Sequence, residues 1–334
     1  MADAVATQPH NLPLRISREI CAGKTYIVTG ANISLGLEAT KHLVAAGAAK
    51  VIMAVRNISA GEAAKAGIEA ATGTSGVAEV WALDLASYDS VKAFAARAVE
   101  ELERIDALIE NAGVAAFDRY DATRSVAAAE DEQGRDEAWD CAAYRGGVQQ
   151  GWLRRGGGLE SYQRRPACGG REGRSPRIQN VQSHESHPFT LFSLAITNID
   201  DTRYPLSKLL QVMAIRRLAV LAPVSRTGVV MNLVCPGSCR TELGRYAPPA
   251  FVKMLQESKE KYGRTAEDGS RTLLYGAVAG KESHGCFLDS CRIAEDVVPA
   301  WVTDEEGMKS QKLVWDVITS ELESIQPGCL KAIL

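Results

Sequence analysis

A chain of 334 residues, 46% hydrophobic and 24% charged, carries enough apolar surface to bury a large core. Its formal net charge of −3 gives no global pull toward nucleic acid or an anionic membrane. No apolar run approaches the roughly 20 residues that a membrane-spanning helix needs.

Residues 1–20 read as a polar extension with two prolines and no apolar signal-peptide core, so a soluble, cytoplasmic protein is expected. The eight cysteines form no Cys-x-x-Cys and no Cys/His set with zinc spacing. They read as free thiols, and no metal is expected.

Lys24 to Thr29 is a short β-rich run that ends in Gly30-Ala31-Asn32-Ile33-Ser34-Leu35-Gly36-Leu37, and an alanine-rich helical stretch follows to about Gly47. A strand, a glycine turn and a helix N-terminus together make an anion site, with free N–H groups and the helix dipole facing a dinucleotide pyrophosphate. Further units follow in step. Val51–Val55 is a buried-type strand, 59–72 a helix, Val77–Leu83 a strand ending at Asp84, 87–103 an amphipathic helix, and Ile105–Ile109 a strand ending in Asn111-Ala112-Gly113. Strands alternating with helices predict a doubly wound parallel sheet, a Rossmann-type α/β fold in a single domain over 21–334. Arg56 closes the second strand, where an acidic residue would hold a ribose 2′-OH and an arginine accommodates a 2′-phosphate. NADP(H) is therefore expected over NAD(H).

From Val114 to Ser175 the pattern collapses. Arg145 to Arg177 contains nine glycines and eight arginines in 33 residues with no helical period, a composition that reads as disorder. An Arg/Gly-rich arm of this kind can bind RNA, but Trp152 and Tyr162 are its only aromatic rings, so no nucleic-acid partner is expected.

Arg177 to Gln182 reads as a fifth strand with Ser183 at its end. Tyr204 and Lys208 then stand four apart on a helix running to about Leu221, which puts phenol and ammonium on one face. A cation beside a phenol favours the phenolate, giving an acid/base suited to a carbonyl near neutral pH. Val229–Val234 reads as a strand leading into Pro236-Gly237-Ser238-Cys239-Arg240-Thr241. Thr265 caps a helix to about Ala279, and a last helix near 304–324 holds Trp315 as a packing residue.

The ordered set Thr29-Gly30…Gly36, Asp84, Asn111-Ala112-Gly113, Tyr204-x-x-x-Lys208 and Pro236-Gly237 resembles the short-chain dehydrogenase/reductase family over about 20–113 and 176–329. The tail, with Gly285-Cys286-Phe287-Leu288-Asp289, Trp315 and Ile325-Gln326-Pro327-Gly328, is similar to fungal, retinol-dehydrogenase-like, NADP-dependent reductases.

The resemblance implies roles. Gly30, Asn32, Leu35 and Gly36 would line the cofactor phosphates and ribose, Asp84 the adenine edge, and Asn111 the adenosine side of the cleft. Lys208 would hold the nicotinamide ribose and lower the pKa of Tyr204. The Cys239 backbone would meet the carboxamide and Thr241 the pyrophosphate. Residues 242–262 would form a substrate lid. Ser183 is the expected catalytic serine, with Ser193 as the alternative at the commoner spacing from Tyr204. His184 and His187 beside it read as loop histidines, because no Gly-x-Ser-x-Gly elbow surrounds Ser183.

Three departures from the family stand out. Ser34 occupies the position of the turn's middle glycine, where a positive φ would cost roughly 1 kcal/mol. The long helix between strands four and five, which often builds the dimer interface, is replaced by the Arg/Gly-rich segment, so the resemblance leaves the oligomeric state open. No asparagine lies between Asn111 and Asn180, so the fourth member of the Asn-Ser-Tyr-Lys set is absent. The segment's residue types match an out-of-frame GC-rich codon run, and its length suits the missing helix. A local reading-frame or splice error is the expectation, tested by sequencing the transcript across codons 114–176.

The function expected is an oxidoreductase moving a hydride between NADP(H) and a small-molecule ketone, aldehyde or secondary alcohol, in specialised metabolism by analogy. The rival is an impaired homologue acting as a dinucleotide-binding or interaction protein.

Overall fold

A computed structural model of the chain describes residues 5–113, 203–245 and 249–332. Its first half is built of alternating strands and helices: β1 (Thr25–Thr29), α1 (Ser34–Ala45), β2 (Lys50–Val55), α2 (Ile58–Thr72), β3 (Ala78–Ala82), α3 (Tyr88–Glu101) and β4 (Ala107–Ile109). The strands pair in the order β3-β2-β1-β4, all parallel, with Val28 opposite Met53 on one side and Ile109 on the other.

Side-chain alternation along the strands explains the doubly wound arrangement. Tyr26, Val28, Val51, Met53 and Val55 point to one face, where Ala39, Leu43 and Val44 of α1 close over them together with Ile68 of α2. Ile27, Ile52, Ala54 and Trp81 point to the other face and meet Phe94 and Ala98 of α3. A sheet covered on both faces needs near-continuous apolar strands, which is how β1 and β2 read. Side-chain caps from Asn57 and Ser87 start α2 and α3.

The second half begins with α4 (Arg203–Leu221), followed by β5 (Leu233–Cys235), α5 (Pro249–Tyr262), α6 (Ala266–Val278), β6 (Phe287–Asp289), β7 (Arg292–Ile293) and α7 (Glu305–Ile325). β5 pairs parallel with β6, and β6 antiparallel with β7. Of the strand expected over 229–234 only its end is realised. Pairing with the 285–289 segment starts where Gly285 donates to the Met231 carbonyl at 2.7 Å, and the ladder proper begins at Leu233. The strand expected at 177–182 lies outside the described residues, so the described strands fall into two sheets. α6 joins them: Leu273 and Leu274 pack into the core above β1 and β2, alongside Val234 of β5.

Met213 and Ala214 of α4 pack against Val314 of α7, with Leu209, Leu210 and Ile318 around them. Arg216 of α4 donates twice to Glu295, at 2.7 and 2.9 Å, and Glu295 also accepts from the Phe287 amide of β6. α4 is thereby fixed against both α7 and the small sheet. Trp315 is buried, as its packing role requires. The six described cysteines are free thiols. Among the described residues no helix is long and apolar enough to cross a membrane.

The segment 5–16 lies along the domain rather than apart from it. Leu12 and Ile16 are buried, 3% and 7% exposed.

Candidate active site

The carboxyl ends of β1 and β4 are tied to each other by one hydroxyl and one amide. Thr29 Oγ1 accepts from the backbone N–H groups of Asn111 and Ala112, both at 2.9 Å. The Asn111 side chain donates back to the Thr29 carbonyl at 2.9 Å and to the Gly30 carbonyl at 3.4 Å. Asn111, expected at the cleft floor, thus acts by holding the glycine turn. Thr29 is the partner that motif reading left without a role.

Two glycines here have no substitute. Gly30 sits at φ +64°, and a Cβ on it would stand 3.0 Å from Ala112 Cα. A Cβ on Gly36 would stand 2.5 Å from the Gly30 carbonyl oxygen and 2.6 Å from Asn111 Nδ2. Ser34 adopts φ +52°, the left-handed conformation that its Cβ disfavours. Asn32 and Leu35 flank it, half-buried, in the same turn.

α1 starts from the N-cap residue Ile33, which offers no side-chain hydrogen bond. An apolar cap leaves the first-turn N–H groups to an outside anion, so the turn fits a dinucleotide pyrophosphate. Arg56 follows β2 directly, half-buried, on the same edge of the sheet. Asp84 lies just beyond β3, where its carboxylate accepts from the Ala86 amide at 2.9 Å and its own N–H donates to Ser90 Oγ at 2.9 Å.

Tyr204 and Lys208 share a face of α4, and the Lys208 ammonium lies 5.3 Å from the Tyr204 ring centroid. Lys208 Nζ donates to Gln211 Oε1 at 3.2 Å. It would also stand 3.9 Å from a Cβ on Gly113, so the Tyr-Lys pair reaches the carboxyl end of β4, two residues from Asn111.

The loop Pro236–Thr241 comes close to the glycine turn across α6. A Cβ on Gly269 of α6 would collide with Cys239 Sγ and stand 2.8 Å from Leu35 Cδ2. That close approach brings Cys239 beside the nucleotide turn. Burial pushes the Cys239 thiol up to about 12, against the pull of Arg264, and burial raises Cys235 as well. Neither is a thiolate nucleophile at neutral pH. The Thr241 carbonyl accepts from Lys259 Nζ at 2.9 Å. Burial also lowers the pKa of that lysine.

The structure therefore brings Gly30 and Gly36 against Ala112 and Asn111, with Asn32 and Leu35 in the same turn, Cys239 near Leu35 across Gly269, and Lys208 near Gly113. Arg56 and Asp84 lie along the same edge. Ser183, Ser193, His184 and His187 lie outside the described residues. Among the described residues, no group of three His, Cys, Asp or Glu could hold a metal ion.

The family model described as short chain dehydrogenase matches residues 24–137. The short chain dehydrogenase/reductase dmxR8 of Cryptosporiopsis sp. is 35% identical over 332 residues, covering 92% of this chain and 93% of its own. The short-chain dehydrogenase/reductase ffsI of Aspergillus flavipes is 30% identical over 93% of this chain and 89% of its own. Among solved structures, a short chain dehydrogenase of Shigella flexneri complexed with NADP matches 83% of this chain and 100% of its own, with a TM-score of 0.51 at 16% identity. That likeness concerns the fold.

Proposed function

The chain belongs to the short-chain dehydrogenase/reductase family, and on that premise we propose that it is an NADP(H)-dependent carbonyl reductase or alcohol dehydrogenase. NADP(H), when bound, supplies or accepts the hydride. The chain's own residues place the reactants and move the proton. The α1 N-terminus and the Gly30–Gly36 turn hold the pyrophosphate, with Thr241 opposite. Arg56 pairs with the 2′-phosphate, a bidentate contact that an ordinary ribose would not repay. Asp84 and Asn111 define the adenosine side, and the Cys239 backbone the carboxamide side.

Lys208 holds the nicotinamide ribose and its positive charge favours ionised Tyr204. Tyr204 gives its hydroxyl proton to the substrate oxygen in reduction and takes it back in oxidation. Ser183 orients that oxygen. The substrate is a small ketone, aldehyde or secondary alcohol, and a place in specialised metabolism rests on family resemblance alone. The observation that carries the reading is the Lys208 ammonium, which lies both near the Tyr204 ring and beside Gly113 at the end of β4.

A titration with NADPH and NADH, following nicotinamide fluorescence and melting temperature together, tests the reading. NADPH binding with a raised melting point, followed by carbonyl turnover that Tyr204→Phe abolishes, supports it. The absence of an asparagine between Asn111 and Asn180 favours a second reading, an impaired homologue that binds the dinucleotide without turnover. NADPH binding with no Tyr204-dependent reduction across a carbonyl panel would favour that one.

A further inference from the structure

The N-terminal segment makes its contacts where the cofactor loop is built. Gln8 Oε1 accepts from the Ser238 amide at 2.9 Å, while Gln8 Nε2 donates to the Ser238 carbonyl at 2.9 Å and to the Tyr262 carbonyl at 2.8 Å. One side chain thus gives Ser238 both hydrogen bonds that a neighbouring strand would supply. The next residue, Pro9, offers its carbonyl to Arg264 Nε at 2.8 Å.

Arg264 is 1% exposed, and the rest of its guanidinium grips the same loop. Nη1 donates to the Pro236 carbonyl at 2.7 Å, and Nη2 to Ser290 Oγ at 2.6 Å. Its backbone donates to the Ser238 carbonyl at 2.9 Å and accepts from the Arg240 amide at 2.8 Å. Downstream, the Asn11 and Leu12 amides donate to the two oxygens of Asp268, at 3.0 and 2.6 Å, in the first turn of α6.

Gly237 records how closely the parts fit. It sits at φ +77°, and a Cβ there would stand 2.5 Å from Arg264 Nη1 and 2.7 Å from Gln8 Oε1. The loop has been left room for the strap's amide and the buried guanidinium, and for nothing larger.

We propose that residues Gln8–Leu12 are a strap that positions the loop Pro236–Thr241 for the cofactor, with Gln8 as the positioning residue and Arg264 as its anchor. The inference rests on the cofactor reading above. Gln8 touches neither substrate nor cofactor in this role; it fixes the backbone on which Cys239 and Thr241 stand. A loop held at the Ser238 amide and carbonyl presents its neighbours in one geometry, so the dinucleotide need not order it on binding.

The test uses the full chain and Gln8→Met, which keeps length and bulk but removes all three hydrogen bonds. Hydrogen exchange across residues 237–240 needs no cofactor and reads the strap itself. An unsatisfied partner in a held loop should raise exchange there on the order of tenfold and weaken NADPH binding by a similar factor. Ile68→Ala, in the core under α2, serves as the control for general destabilisation. It should lower the melting temperature more than Gln8→Met while leaving the NADPH dissociation constant unchanged. Unchanged exchange in Gln8→Met, or faster exchange with unchanged NADPH affinity, overturns the strap. If the wild-type chain itself binds no NADPH, the cofactor reading fails first and takes the proposal with it, a result visible before any variant is made.

Discussion

The Lys208 ammonium lies 3.9 Å from the point where a Cβ on Gly113 would stand, and 5.3 Å from the Tyr204 ring centroid. One cation therefore serves two elements far apart in sequence: the end of β4 and the start of α4. Gly113 leaves the side free for it, and Asn111 two residues earlier holds the nucleotide turn. In the proposed function acid/base chemistry and cofactor binding meet at that point, and substitutions can tell them apart.

Tyr204→Phe removes the proposed proton donor and keeps the ring near Lys208. Carbonyl reduction should fall about 10²–10⁴-fold, with the NADPH dissociation constant within about threefold of the parent. Lys208→Met should weaken both, because the ammonium is assigned to the ribose and to the phenol. Steady-state kinetics beside a fluorescence titration separate the two patterns. Equal losses of binding and turnover in Tyr204→Phe would remove the tyrosine from its role as proton donor.

Arg56→Asp converts the end of β2 from an anion partner into a ribose-hydroxyl partner. A charge-assisted contact is worth about 1.5–3 kcal/mol, so NADPH affinity should drop by roughly 10–100-fold while NADH affinity is unchanged or improved. Parallel titrations with both nucleotides check this. An unaltered NADPH preference would mean that another group reads the 2′-phosphate.

The strand–turn–helix units were legible because their signals are local. Continuous apolar strands such as Val51–Val55 announce burial on both faces, and Gly30 and Gly36 sit where their neighbours leave no room for a Cβ. The shared helix face of Tyr204 and Lys208 was legible through helical spacing, but that spacing is a weak signal by itself and took its meaning from the motifs around it. The partnerships between distant residues were not. Gln8 and Ser238 are 230 residues apart, and nothing in a polar N-terminal stretch marks a glutamine as a strand substitute. Arg264 belongs to no motif that would single it out, yet it is among the largest fully buried side chains. Its partners are two carbonyls and a hydroxyl, which leave no charge pattern to find. Gly269 carries no motif either, and only packing reveals that Cys239 and Leu35 meet at its surface.

Ser34 offers a gain rather than a loss. At φ +52° it pays the left-handed penalty of about 1–2 kcal/mol. Glycine would remove that cost and give back roughly 0.5–1 kcal/mol in unfolded-chain entropy. Ser34→Gly should therefore raise the melting temperature by about 1–4 °C and bind NADPH at least as well. Calorimetry with and without NADPH reads both. A lowered melting point would show that the Ser34 side chain makes a compensating contact in the turn.

The junction of α1, α6 and the N-terminal segment should be sensitive to acid. Glu267 in the first turn of α6 accepts from Arg271 at 2.9 and 3.0 Å and lies 2.7 Å from His42 Nε2 in the last turn of α1, while Arg271 also donates to the Leu12 carbonyl. Burial pulls the Glu267 carboxyl upward, but hydrogen bonds from Arg271 and then His42, together with their charges, outweigh it and hold the pKa below the ordinary value of 4.5. A depressed folded-state pKa means that the stabilisation is fully present above 4.5 and is lost as pH falls through the lower folded value. Glu267→Gln should therefore melt about 1–4 °C below the parent at pH 7. The gap should hold down to about pH 5 and close as the parent's carboxylate is protonated below its folded pKa. Melting curves of both proteins from pH 7 to pH 3 decide the matter. A gap that persists unchanged at the acid end would place the effect in packing rather than in the charge of Glu267.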